Sequence, residues 1–249
     1  MANCQPIDMA IAKPPARFTG DPEPRRGIRA KLLSLAEYDG SHAYPYCWGY
    51  TIFRTAYIKG SDNAFVEAME RLGVYAKAYV DDDITLKPRP NEEPKDPLPN
   101  QDVWNRYYHD IVEDPERLAN ASVEEVERYF DGWINEHLRS VPGRRRAPNK
   151  RFELCKMLDQ ESIDNILLMS KDPYGRGDPR RFDHWVKMIT DVRRPEEGGR
   201  VWFRAGIQSY MWSLWFMWQD PDFLYEEQCW VSEADGVMNL RPAPDGYFH

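Results

Sequence analysis

Apolar and polar positions along this chain recur in segments short enough to be assigned one at a time. The densest runs from Tyr46 to Ile58; it is rich in aromatic and β-branched residues and lies between Pro45 and Lys59-Gly60. Such a run suits a pleated, half-buried surface and predicts a central strand. Ser61-Asp62 then offers N-cap oxygens, and Phe65, Met69 and Leu72 recur at helical spacing. Gly73 stands where a glycine would close that helix. Val74, Ala76, Ala78 and Val80 alternate with Tyr75, Lys77 and Tyr79, the pattern of a second strand.

A similar unit begins at Arg151. Phe152 to Leu158 reads as a strand, Glu161 to Ser170 as a helix with Ile163, Ile166 and Leu167 inward, and Trp185 to Val192 as another strand. Between the two units, Asp81 to Asn100 opens with three Asp and then carries five prolines among Lys, Glu and Asp, which predicts a solvated excursion. Helices follow at Asp102 to Glu113 and after Ser122, where Ser122 and Glu125 form a capping box. Val123, Val126, Phe130, Trp133 and Ile134 give that second helix one apolar face.

The order β-α-β, helical insertion, β-α-β predicts an α+β fold: a ferredoxin-like sheet with split halves, both helices on one side. Residues 1–45 read as an N-terminal arm with a short helix at 27–38. Residues 46–249 read as a single α+β domain with a helical insertion at about 81–150 and an aromatic C-terminal extension. Val201 to Ile207 adds a strand. The apolar run Tyr210 to Trp218 fits a helix or a strand, and a buried helix is the preferred assignment.

Composition narrows the function classes. At 249 residues, 42% hydrophobic and 30% charged, the chain can build a packed core without staples. Its net charge of -8 disfavours general binding to nucleic acids and anionic membranes. Neither a secretory signal nor an apolar membrane span is predicted. Cys4, Cys47, Cys155 and Cys229 lack paired spacing, which fits reduced thiols and a cytoplasmic location.

The stretch Gly49-Tyr50-Thr51-Ile52-Phe53-Arg54-Thr55-Ala56-Tyr57 resembles the opening strand of a large group of uncharacterised fungal proteins. There too, Ser-Asp and a helix follow, as at Ser61-Asp62. Leu158-Asp159 with Glu161-Ser162, then Trp185-Val186-Lys187, then an aromatic stretch extend the likeness over roughly residues 46–218. The resemblance implies an intracellular protein and carries no activity with it.

Phosphate-loop, dinucleotide, zinc-protease and hydrolase-elbow signatures are absent from the sequence, so no cofactor and no metal is predicted. The informative pattern is a charge within nearly every predicted strand: Arg54, Lys156, Lys187 and Arg204. Each lies among aromatic or apolar residues on its own strand face, Arg54 with Trp48 and Tyr50, and Arg204 with Trp202. Charges on central strands must be paired, wet or facing a ligand. The functional expectation is an aromatic hollow on the sheet face opposite the helices. Arg54, Tyr50, Trp48, Lys187, Arg204 and Trp202 would bind an anionic substrate there, with His109 or His184 moving a proton. The plainer alternative pairs the cations with Asp159, Asp191 or Glu153.

Other patterns have bland readings. Asp81-Asp82-Asp83 is a solvated acidic loop in preference to a cation site. Arg144-Arg145-Arg146 is a solvated basic loop in preference to an import or phosphate site, and Arg176-Gly177-Asp178 is a turn. Trp212, Trp215 and Trp218 are core or dimer contact in preference to a pocket wall. The expected function is that of a small-molecule-binding protein and possible isomerase, cyclase or lyase acting on an anionic or aromatic intermediate of secondary metabolism. The alternative is a non-catalytic homodimeric interaction module with an aromatic-rich surface.

Overall fold

The computed structural model describes residues 13–15, 26–36, 44–85, 94–138, 149–174, 184–193, 200–207, 210–217, 229–231 and 237–240. The other residues of the N-terminal arm, Arg144–Arg146, Arg176–Asp178 and Trp218 lie outside them.

Helix α1 (Arg26–Ala36) precedes strand β1 (Thr51–Arg54) and helix α2 (Ser61–Thr85). Next come α3 (Leu98–Asn105), β2 (Asp110–Val112), α4 (Pro115–Leu118) and α5 (Val123–His137). The second half holds β3 (Leu154–Leu158), α6 (Gln160–Leu167), β4 (Trp185–Arg193), β5 (Arg200–Gly206), α7 (Tyr210–Met217), β6 (Cys229–Val231) and β7 (Val237–Leu240). The strands form one mixed sheet in the order β2-β1-β3-β4-β5-β7-β6. β1 runs parallel to both β2 and β3, whereas β4 runs antiparallel to both β3 and β5.

The mixed α/β character agrees with the α+β expectation, but this order does not reproduce a ferredoxin-like sheet. Two local misreadings explain the difference. The alternating run at 74–80 lies in the second half of α2, a helix of 25 residues. Phe65, Ala68, Met69, Leu72, Tyr75, Ala76 and Val80 are its buried positions, at helical intervals from end to end. Gly73 therefore sits mid-helix, with nothing within 4 Å of a Cβ built on it. Gly73→Ala is expected to stabilise the chain by about 0.5–1 kcal/mol, because it removes unfolded-state freedom at no steric cost. A denaturant titration reads this as a raised midpoint with an unchanged slope.

The second misreading concerns the insertion. The helix expected over 102–113 ends at Asn105, and the chain turns into edge strand β2. The insertion is thus helical except for one strand, which completes the sheet beside β1. The acidic trio Asp81–Asp83 forms the last turns of α2, not a solvated loop. Lys77 pairs with Asp81, and Asn100 Nδ2 donates to Asp83 Oδ1 at 2.6 Å.

Other elements follow their sequence signals. The capping box closes in both directions: Ser122 Oγ accepts from Glu125 N, and Glu125 accepts from Ser122 N. Asp159 caps α6 by accepting from Ser162 N. Register and burial divide the sheet into two faces. Ile52, Lys156, Met188 and Phe203 lie across from one another on neighbouring strands, so their side chains share a side. That face packs against α1, α2, α6 and α7, the helices that share its core. Phe53, Cys155, Met157 and Ile189 point the other way, onto Val126, Phe130 and Trp133 of α5.

Candidate functional site

Tyr46 and Gly49 bend the chain sharply just before β1, both with positive φ. A Cβ at Gly49 would lie 2.2 Å from the backbone oxygen of Tyr108. Glycine there lets residues 48–50 run against 106–110: Trp48 N donates to Arg106 O at 2.9 Å, and Tyr108 N to Trp48 O at 2.8 Å. This close approach carries the His109 ring onto the Tyr50 backbone, where Tyr50 N donates to His109 Nδ1 at 3.0 Å. Gly49→Ala combines left-handed strain with backbone overlap and is expected to cost about 2 kcal/mol. Chemical denaturation measures it.

The result is a closely packed cluster of aromatic rings, the aromatic chamber, on the helix-covered face. Trp48 Nε1 donates to Val103 O at 2.7 Å, and Tyr50 Oη to Met211 O at 2.6 Å. Trp212 of α7 stands edge-on to Trp48 at 6.2 Å and stacks over His109 at 6.4 Å. Tyr107 Oη lies 2.5 Å from His109 Nε2. Into this chamber rises Lys156 of β3, 0% exposed, its Nζ 4.7 Å from the Tyr50 ring centre and 4.4 Å from that of Trp212. Neither Lys156 Nζ nor Trp212 Nε1 has a hydrogen-bond partner among the described residues.

Burial sets the protonation states. It pushes Lys156 well below the usual 10.5, and the charge of Arg151 adds to the effect. Arg151 itself is fully buried, donating from Nη2 to Tyr108 O at 2.7 Å and lying over the Tyr44 and Tyr108 rings. A guanidinium cannot shed its proton, so the amine yields instead. Burial likewise holds His109 well below 6.5, helped by Lys156 and Arg151, and raises Tyr50 well above 10.0. Burial in the chamber therefore favours the uncharged forms of the Lys156 amine, the His109 imidazole and the Tyr50 phenol.

The expected shared hollow of cations does not form. Arg54 lies on the same face as Lys156, whereas Lys187 and Arg204 sit one register position away and point to the opposite side. Each is also matched to acids. Arg54 reaches Glu113 at 2.8 Å and Asp62 at 2.5 Å, with further bonds to Ala56 O and Ser61 Oγ. Lys187 pairs with Asp159 and, at 2.9 Å, with Glu161, which also accepts from Arg204 at 2.8 Å. Burial opposes the charges on Arg54 and Lys187, but their acid partners outweigh it and raise both pKa values. The three expected anion anchors are thus structural ion pairs.

Of the remaining expected site residues, Trp48, Tyr50 and His109 meet in the chamber. Trp202 does not; it lies on the far face and is 44% exposed. His184 is buried just before β4, and its carbonyl accepts from Ile207 N at 3.0 Å. By register it is level with Ala56, about six residues or roughly 20 Å along the strands from Tyr50. The two histidines cannot serve one reacting centre. Lys156 was visible in sequence as a strand charge, but nothing there marked it as the one without an acid.

Comparison with protein-family models, with curated proteins and with solved structures gives no match. Among the described residues, no group of three His, Cys, Asp or Glu side chains is placed to hold a metal ion, and no helix is long and apolar enough to cross a membrane.

Proposed function

We propose that this chain binds a small aromatic metabolite in the chamber around Lys156, with a polar oxygen of the ligand directed at the amine. One observation carries the proposal: two orphan polar groups, Lys156 Nζ and Trp212 Nε1, are buried around the same indole. Each buried polar group without a partner costs about 1–3 kcal/mol, and a ligand oxygen accepting from both would recover that cost. The rings of Trp48, Tyr50, Tyr107 and Trp212 supply flat apolar walls. Access requires a covering element to move, and α7 carries the indole that lies over the amine.

The test is a thermal-shift series with aromatic acids, aldehydes and keto acids on the wild type and on Lys156→Met. The proposal expects a subset to raise the wild-type Tm and to leave the variant unmoved. Equal shifts in both proteins, or none across the series, would refute it.

A cytoplasmic site of action accompanies this reading, supported by the buried free thiols of Cys47 and Cys155. A second reading, a homodimer through the far face, draws on the exposed Trp202 beside the Lys187–Glu161–Arg204 pairs. Sedimentation of the wild type and of Trp202→Ser tests it.

A further inference from the structure

We propose that Lys156 reacts covalently, its amine condensing with the carbonyl group of a small aromatic aldehyde or ketone to form an imine. This rests on the binding reading above and specifies both the ligand class and the chemistry.

Among lysines this amine is unusual in three ways. It is fully buried, it has no hydrogen-bond partner, and it lies between two aromatic rings. A lysine becomes nucleophilic when an apolar pocket and a neighbouring cation favour its neutral form. Both conditions hold here, with burial as the larger cause and Arg151 as the second. The orphan Trp212 N–H supplies a donor on the same ring system, suited to an oxygen that gains negative character during attack.

The reaction balances without oxidant or reductant. The nitrogen lone pair forms a C–N bond to the carbonyl carbon, and the C=O π pair moves to oxygen, which takes a proton. Nitrogen gives up both of its protons in turn, one as the carbinolamine forms and one as the C–O bond breaks, and these are the two that oxygen takes; the Tyr107–His109 pair rests against the same indole. The C–O bond then breaks, and oxygen leaves as water after taking a second proton. One amine and one carbonyl give one imine and one water. With Nδ1 accepting from Tyr50 N, neutral His109 donates from Nε2 to Tyr107 Oη, which leaves the phenol O–H to donate to the departing oxygen.

The experiment traps the imine. Full-length protein is incubated at pH 7 with benzaldehyde or phenylpyruvate and sodium cyanoborohydride, then digested and mapped by mass spectrometry. Thermal shift without the reductant is measured in parallel. Surface lysines with an ordinary pKa are deprotonated at only about 1 part in 2,500 at that pH, so they form little adduct. The expected result is a single adduct on Lys156, absent from Lys156→Met. A thermal shift that depends on Lys156 without a trapped adduct overturns the covalent inference and leaves the binding reading standing. Absence of both signals overturns both. Adducts confined to the terminal amine or to surface lysines overturn the covalent inference as well. His109→Gln provides a second variant: binding with slowed trapping is expected, and an unchanged trapping rate contradicts the proton role.

Discussion

Arg54→Ala is expected to lower folding stability by about 2–4 kcal/mol, chiefly through packing and buried hydrogen bonds. The two acids that Arg54 meets are exposed, Asp62 by 88% and Glu113 by 49%. Ion pairs with such groups contribute about 1 kcal/mol or less. The guanidinium itself is buried between the Tyr57 and Phe65 rings, 4.7 Å from each centre, and it bonds to Ala56 O and Ser61 Oγ. It therefore ties the end of β1 to the start of α2 and to Glu113 beyond β2. Removing it leaves a void among aromatic rings and weakens both junctions together. Asp62→Asn, by contrast, is expected to cost less than about 1 kcal/mol. Urea titrations of the two variants give this comparison directly. Near-equal losses would mean that the surface charges, and not the packed guanidinium, hold the junction.

Lys156→Met is expected to act in the opposite direction, raising stability by about 1–4 kcal/mol at neutral pH while abolishing ligand binding. Methionine fills a similar volume and has no amine to desolvate. The pH dependence fixes the cause. In the unfolded chain Lys156 binds a proton up to about its ordinary 10.5, whereas in the folded chain burial drives that proton off at a much lower pH. Between the two values the unfolded state holds more protons, so wild-type stability from this group rises with pH. The advantage of methionine is thus full at pH values below the folded-state pKa of Lys156 and shrinks as pH rises from there to 10.5. A residue that weakens the fold yet carries unusual chemistry marks a functional site more securely than one that strengthens it.

Much of the architecture was legible in the residues. β3, β4 and β5 were read as strands to within two residues at each end, and α5 was marked by Ser122 and Glu125 with Val126, Phe130 and Trp133 behind them. The second half of α2 was not legible, because small and aromatic residues alternating at 74–80 satisfy a period of two as well as a helical face. Only the continuity of buried positions from Phe65 to Val80 decides between them. β2 was hidden for another reason: three residues are too few for a periodic signal, and their parallel pairing with β1 is a long-range choice.

The candidate site divides along the same line. Trp48 and Tyr50 were found from the strand face they share with Arg54 and His109 as a proton carrier on an expected helix, but the reason they meet is the glycine at position 49, whose positive φ no local pattern records. The strand cations were also visible. Which of them finds an acid depends on register: a shift of one residue puts Lys187 and Arg204 beside Glu161 and leaves Lys156 facing rings.

The most direct measurement is a pH titration of the lysine side chains by NMR in protein labelled at lysine Cε, with the Lys156 signal assigned by its loss in Lys156→Met. The buried, partnerless amine predicts a signal whose midpoint lies well below 10.5, apart from the surface lysines. A Lys156 signal that titrates alongside the surface lysines would contradict the account, because a charged, solvated amine has no place in that chamber.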